Sequence, residues 1–217
     1  MKKSIVSAVS ALALAGGLCA AARPAGAAEG SWLVRGNLSV VDPGNDSDEV
    51  SGFSRSGVQF EPSGTLSLSG SYFVNDYVGL ELATALPSET QLRGNGRMRG
   101  LGIDQMADVT VLPATFSVQL HIPNPTPLTP YLGVGVNYTH FYEEDSRING
   151  LDVKVDDAWG LAGKIGLDAN LGAGLLLGAN VQYINMTTTA KFSGVIDDNV
   201  DMQVDPWIYS VGLGYRF

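Results

Sequence analysis

The chain has 217 residues, 27 of them glycine, with 16 % charged residues against a usual ~25 % and a formal net charge of −9. The acidic balance excludes nucleic acid as a partner, because its binders are basic. No apolar run after Ala28 approaches the ~20 residues of a membrane helix, so a helical span is excluded as well.

Residues 1–28 read as a cleaved targeting segment. Lys2 and Lys3 give the positive start, Ile5 to Ala22 the apolar stretch, and Ala25-Gly26-Ala27-Ala28 the small residues for cleavage. The single cysteine, Cys19, lies inside it behind Leu18, not behind the small residue a lipoprotein signal requires. The expected mature chain, residues 29–217, is one domain without thiol chemistry, and loss of Lys2, Lys3 and Arg23 takes its charge from −9 to −12.

Eight segments then alternate with a period of two, the spacing of strands with unlike faces. The first sets Trp32, Val34, Leu38 and Val40 against Arg35, Asn37 and Ser39. The second sets Leu66, Leu68 and Tyr72 against Ser67, Ser69 and Ser71, and the third Val78, Leu80, Leu82 and Leu86 against Glu81, Ala83 and Ala85. In the fourth, Leu112, Phe116, Val118, Leu120 and Ile122 oppose Pro113, Thr115, Ser117, Gln119 and His121. The fifth sets Leu132, Val134, Val136 and Tyr138 against Gly133, Gly135, Asn137 and Thr139. The sixth sets Trp159, Leu161, Ile165 and Leu167 against Ala162, Lys164 and Asp168, and the seventh Leu175, Leu177, Val181 and Tyr183 against Gly178, Asn180 and Gln182. The eighth carries Trp207, Tyr209, Val211, Leu213, Tyr215 and Phe217 on one face and Ile208, Ser210, Gly212, Gly214 and Arg216 on the other.

A bilayer protein without membrane helices must close its strands into a barrel, since every backbone N–H and C=O needs a partner in lipid. Eight strands make the smallest such barrel, with aromatic girdles at both interfaces. The sequence therefore predicts an all-β fold, an eight-stranded antiparallel transmembrane β-barrel of the bacterial outer membrane. Its expected surroundings are membrane lipids and lipopolysaccharide, and its terminal Phe217 is the expected handle for the barrel-assembly machinery. Short links at Asn75-Asp76, 123–127 and 172–174 mark the periplasmic side. Longer connections, about 42–63, 87–108, 143–156 and 191–201, read as outer loops. Gly100 to Val109 suggests a short helix, and Phe53, Val58, Phe60, Leu101, Ile103 and Met106 suggest a funnel or a small core under the loops.

The stretches Leu112-Pro113-Ala114-Thr115, Pro130 to Tyr138, Asp157-Ala158-Trp159-Gly160-Leu161-Ala162-Gly163 and Asp205-Pro206-Trp207, with the Gly214-Tyr215-Arg216-Phe217 ending, fall in order over the last half of the chain. In combination they resemble the outer membrane protein W (OmpW) family. That resemblance implies an eight-stranded outer-membrane barrel and a narrow, partly apolar channel for passive uptake of small hydrophobic molecules.

Orientation places the inward residues by height. Ala83, Ala85, Val111, Pro113, Ile184, Met186 and Ile208 form an expected apolar upper lumen. Below it, Arg35, Lys164 and Arg216 are expected to pair with Glu81 and Asp168, beside Gln119, because buried charges persist only when paired. This network either fills the barrel or gates it. Pro113 has no N–H for the ladder; it marks either a lateral exit for an apolar ligand or a bulge that adjusts curvature. The acidic residues Glu143, Glu144, Asp145, Asp152, Asp156, Asp157, Asp197, Asp198 and Asp201 read as solvated loops, with bridging of cations to lipids as the alternative. They lack calcium-loop spacing, so no metal or cofactor is assigned. No Gly-x-Ser-x-Gly stretch exists, and His121 and His140 fall at opposite ends on opposite faces, so an enzyme is not expected. A structural or adhesion barrel without transport is the alternative function.

Overall fold

Alternation leaves every strand with a greasy face and a mixed face, and the computed structural model shows how the two are used. It describes residues 30–47, 58–60, 62–94, 107–146, 151–194 and 198–217. In chain order the strands are β1 (Trp32–Asp42), β2 (Asn45–Ser47), β3 (Val58–Phe60), β4 (Ser63–Phe73), β5 (Val78–Ala85), β6 (Ser88–Gly94) and β7 (Ala107–His121). There follow β8 (Leu128–Ser146), β9 (Leu151–Val155), β10 (Ala158–Gly172), β11 (Leu175–Gly194), β12 (Asp198–Val204) and β13 (Trp207–Arg216).

Eight of these close a ring of antiparallel pairs, β1–β4–β5–β7–β8–β10–β11–β13 and back to β1. The register runs from Leu33↔Arg216 to Asp42↔Trp207 across the closing seam, so no edge is left in the barrel wall. The two ends of the described chain meet: Trp32 N–H donates to Phe217 O at 2.8 Å, and Phe217 N–H to Trp32 O at 3.0 Å.

Outward positions are apolar and exposed, as a lipid-facing skin requires: Leu38 is 70 % and Leu161 69 % accessible. Aromatic girdles bound this skin, Trp32 against Tyr72 and Tyr215 against Phe217 at the short-turn end, Tyr138 against Trp159 and Tyr183 against Trp207 at the other. The short links match expectation. Asn75 Oδ1 accepts from the N–H groups of Tyr77 and Val78, both at 2.8 Å, and the β10–β11 turn needs positive φ at Gly172 (94°), Ala173 (51°) and Gly174 (81°).

The opposite end corrects the sequence reading. Much of what reads as loop is strand. β7, β8 and β11 run on well past the girdle, and β2, β3, β6, β9 and β12 pair with their extensions or with one another. Ala107, Asp108 and Val109, expected in a short helix, belong to β7; Gly100 to Met106 lie outside the described residues. The backbone of Val58 and Phe60 is in β3, whereas Phe53, Leu101, Ile103, Met106 and Asp197 lie outside the described residues. Glu143, Glu144 and Asp145 are in β8, Asp152 in β9, and Asp198 and Asp201 in β12. Two sheets result beyond the barrel, β3–β6–β7–β8 and β9–β11–β12–β2, and among the described residues no strand register joins β8 to β9. The apolar alternation of the skin stops where lipid stops, but the backbone still pairs, so a hydrophobicity pattern sees only part of each strand.

Candidate functional site

The inward face is layered. At the short-turn end lies a floor that the sequence reading missed. Leu33, Phe73 and Leu176 form a buried apolar cluster. His121 stacks on Tyr131 (centroids 5.0 Å, 22°) and meets Phe73 edge-on at 4.9 Å. Two guanidinium groups cover this stack, Arg35 over Tyr131 at 5.4 Å and Arg216 over Phe73 at 4.8 Å, in cation–π geometry. The available signal was the loss of alternation at these strand ends, where Leu33 follows Trp32, Phe73 follows Tyr72 and Leu176 follows Leu175.

Above the floor lie the charges. Arg35 bridges Glu81 (3.3 Å) and Asp168, and Lys164 Nζ donates to the other oxygen of Glu81 at 2.5 Å. Arg35, Glu81, Asp168 and Lys164 are all buried, so the ion pairs are shielded from water. The expected pairing of Arg216 with a carboxylate is not made, because its guanidinium lies over Phe73. Gln119 is fully buried, with its Oε1 3.2 Å from His121 Nε2. Inward glycines make room for these long side chains. A Cβ on Gly214 would stand 2.9 Å from Arg35 Cγ, and one on Gly166 would overlap the Tyr131 ring.

A belt of hydroxyls and amides comes next, and the two-storey reading of the lumen did not separate it. Ser39 Oγ lies 2.9 Å from both Ser67 Oγ and Ser210 Oγ. Thr139 Oγ1 donates to Asn137 Oδ1 at 2.7 Å, and Asn137 Nδ2 to Thr115 Oγ1 at 2.9 Å.

The upper lumen divides around the ring. On the β10–β11 side, Ile184, Met186, Ala158 and Ala162 are buried, and Phe141, Val155 and Val204 are buried near the mouth. On the other side Ala83, Ala85, Val111, Pro113 and Ile208 are only half-buried. Here the wall is interrupted. The β5–β7 register ends at Thr84↔Ala114 and resumes between β6 and β7 at Ser88↔Val111. Between these pairs Ala85, Leu86 and Pro87 face Leu112 and Pro113, three residues against two, with Pro113 on β7 and Pro87 in the link between β5 and β6. The Pro113 carbonyl accepts from Thr84 Oγ1 at 2.9 Å, and Leu86 N–H turns to Leu66 O at 2.7 Å.

On the outer surface, above the Trp159–Tyr138 girdle pair, Asp157 gathers three donors: Tyr138 OH at 2.6 Å, His140 Nδ1 at 2.7 Å and Phe141 N–H at 3.3 Å. These hold its carboxyl below the usual carboxylate range, the Tyr138 hydroxyl contributing most. Asp157 is exposed, as the acidic-loop reading expects, and in addition accepts these three hydrogen bonds.

A closed ring of eight strands with a lipid-facing skin, two aromatic girdles and a polar core defines an outer-membrane β-barrel protein. The OmpW family model matches residues 28–217, and the chain belongs to that family. Outer membrane protein W of Vibrio cholerae is 32 % identical over 197 residues, covering 87 % of this chain and 89 % of that one. The crystal structure of OprG from Pseudomonas aeruginosa superposes with a TM-score of 0.80 at 33 % identity, over 88 % of this chain and 98 % of that chain. The dibenzothiophene metabolism operon protein PahQ of Pseudomonas aeruginosa is 25 % identical over 154 residues, 70 % of this chain and 71 % of that one.

Proposed function

We propose that the barrel passively takes up small hydrophobic molecules, admits them to the half-buried side of the upper lumen, and releases them sideways into the membrane between β5–β6 and β7. One observation carries the reading: the ladder break at Pro87 and Pro113 lies at the level of the apolar positions Ala85, Val111 and Pro113, above a polar belt and the layer of paired charge beneath it. A molecule that reaches this level meets ion pairs below and a backbone gap beside it. Each CH₂ moved from water into lipid is worth about 0.8 kcal/mol, so an eight-carbon chain gains roughly 6 kcal/mol by going sideways. The charged layer offers it nothing comparable, and a non-helical break at membrane depth is tolerated where it lines a cavity. The name of the relative from a dibenzothiophene operon, whose aromatic compound is itself apolar, supports this substrate class.

In this reading Ala83, Ala85, Val111, Pro113, Ile184, Met186 and Ile208 line the route, and Arg35, Glu81, Gln119, Lys164, Asp168 and Arg216 close its lower end. Residues 1–28 serve as the export signal, Phe217 presents the chain to the assembly machinery, and lipopolysaccharide surrounds the mouth. No catalytic step is required. The test is Pro113→Val in refolded protein in lipopolysaccharide-coated vesicles, following a naphthylamine dye that brightens in acyl chains. The variant is expected to take up dye more slowly than wild type; equal rates overturn the lateral route. The buried packing of Phe141, Met186 and Val204 at the mouth favours the second reading, a structural or adhesion barrel without transport, and that reading predicts no protein-dependent uptake at all.

A further inference from the structure

The break at Pro113 has a counterpart on the other side of the same strand pair. β8 pairs with β10 only as far as Thr139↔Ala158, and Thr139 is itself the partner of Pro113 across the β7–β8 ladder. Both edges of the β7–β8 ribbon thus change at one level: β7 passes from β5 to β6 across a one-residue bulge, and the β8–β10 register ends. Beyond it the ribbon continues to Ala107↔Ser146 and carries β6 with it, while β9 pairs with β11 and belongs to the opposite sheet.

Asp157 sits where the two sheets part. Its neighbour Asp156 is tied to β11, by Asp156 N–H to Thr189 O at 3.0 Å and by Thr188 Oγ1 to Asp156 O at 2.6 Å. The Asp157 carboxylate reaches across to β8 and accepts from Tyr138, His140 and the Phe141 N–H, filling in for a strand partner at the root of the seam. A carboxylate that accepts a backbone N–H and two side-chain donors makes charge-assisted bonds, roughly twice as strong as neutral ones.

We propose that Asp157 is the latch of the lateral gate: it holds the β6–β7–β8 flap against the β9–β11 sheet, and its release lets the flap swing on the Pro87–Pro113 break and widen the side opening. This rests on the transport reading above. The Asp157 carboxylate is one tie between the edge of β8 and the β9–β11 side, and the flap's other edge is interrupted by the bulge at Pro87 and Pro113.

The experiment pairs amide exchange with uptake. Refolded wild type, Asp157→Ala and Asp157→Asn are compared in lipid for exchange at the Phe141 amide and for dye uptake in lipopolysaccharide-coated vesicles. Asp157→Ala is expected to speed Phe141 exchange by about tenfold, the loss of one charge-assisted bond, and to raise uptake severalfold. Asp157→Asn keeps an oxygen acceptor and is expected to fall between. Unchanged Phe141 exchange overturns the latch, as does faster exchange with uptake at the wild-type rate. Uptake absent from wild type and variants alike overturns the transport reading and the latch with it, whereas wild-type uptake that Asp157→Ala leaves unaltered overturns the latch alone.

Discussion

The two halves of this barrel use the same strands for opposite purposes. In the short-turn half the ladders of the ring keep their partners, with one register shift at Asn170–Gly172 beside the β10–β11 turn, and the interior is filled by an aromatic floor under a four-membered ion cluster. In the outer half the ring opens beside Pro113 and again above Ala158, and the strands regroup into two sheets. Rigidity below and divisibility above follow from where each backbone group finds its partner. An eight-stranded barrel encloses little more than its own side chains, and in the proposed reading its freedom lies in the wall.

The comparison is broken most severely by removing one charge from the lower half. Glu81 holds both Arg35 and Lys164, so Glu81→Ala strands the buried Lys164, leaves Arg35 to Asp168 alone, and is expected to destabilise the barrel by about 3–5 kcal/mol. Urea titration of the refolded protein in lipid checks this. The paired change Glu81→Leu with Lys164→Leu restores balance with packed apolar groups and should cost clearly less than Glu81→Ala alone, because replacing both members of a buried pair is often close to neutral.

A smaller loss is expected from Gly166→Ala. The added methyl overlaps the Tyr131 ring and displaces it from His121 and Arg35, at about 1–3 kcal/mol by the same titration.

The upper half answers to different changes. Pro113→Val returns an N–H to the break and should slow dye uptake by roughly threefold, while stability moves by less than about 1 kcal/mol. Unequal effects of this kind, on uptake but not on unfolding, would sharpen the contrast between the halves.

The smallest expected effect is of pH. The Asp157 carboxyl is held below its ordinary value, so what it contributes is present above the unfolded carboxyl's range and is lost only as pH falls through the depressed folded value. Phe141 amide protection, corrected for intrinsic exchange, should therefore stay level from pH 8 to 5 and weaken only below about pH 4.

Much of this fold was legible because a membrane imposes its pattern on every second residue. Leu132, Val134 and Val136 face lipid because nothing else is affordable there, and Arg35, Glu81, Lys164 and Asp168 could be matched as ion partners from parity and height alone. Other features are not legible. The strand extensions escaped because pairing beyond the lipid leaves no greasy alternation behind. Arg216 was misassigned because parity gives a side chain's direction but not whether a ring or a carboxylate waits for it. Asp157 reads like any acidic loop residue, since its donors come from β8, sixteen to nineteen positions earlier in the chain. Pro87 is the instructive case: alone it reads as a loop proline, and only the β5–β7 and β6–β7 registers place it in the bulge across from Leu112 and Pro113.

The claim at the centre is that this barrel is shut to water below and passable to apolar molecules through its side. The most direct measurement follows, in one batch of lipopolysaccharide-coated vesicles carrying refolded protein, the uptake of the hydrophobic dye and the efflux of a small sugar. The account predicts dye uptake well above protein-free vesicles with sugar retained. Sugar escaping as fast as dye enters, or dye entry no faster than through bare membrane, would contradict it.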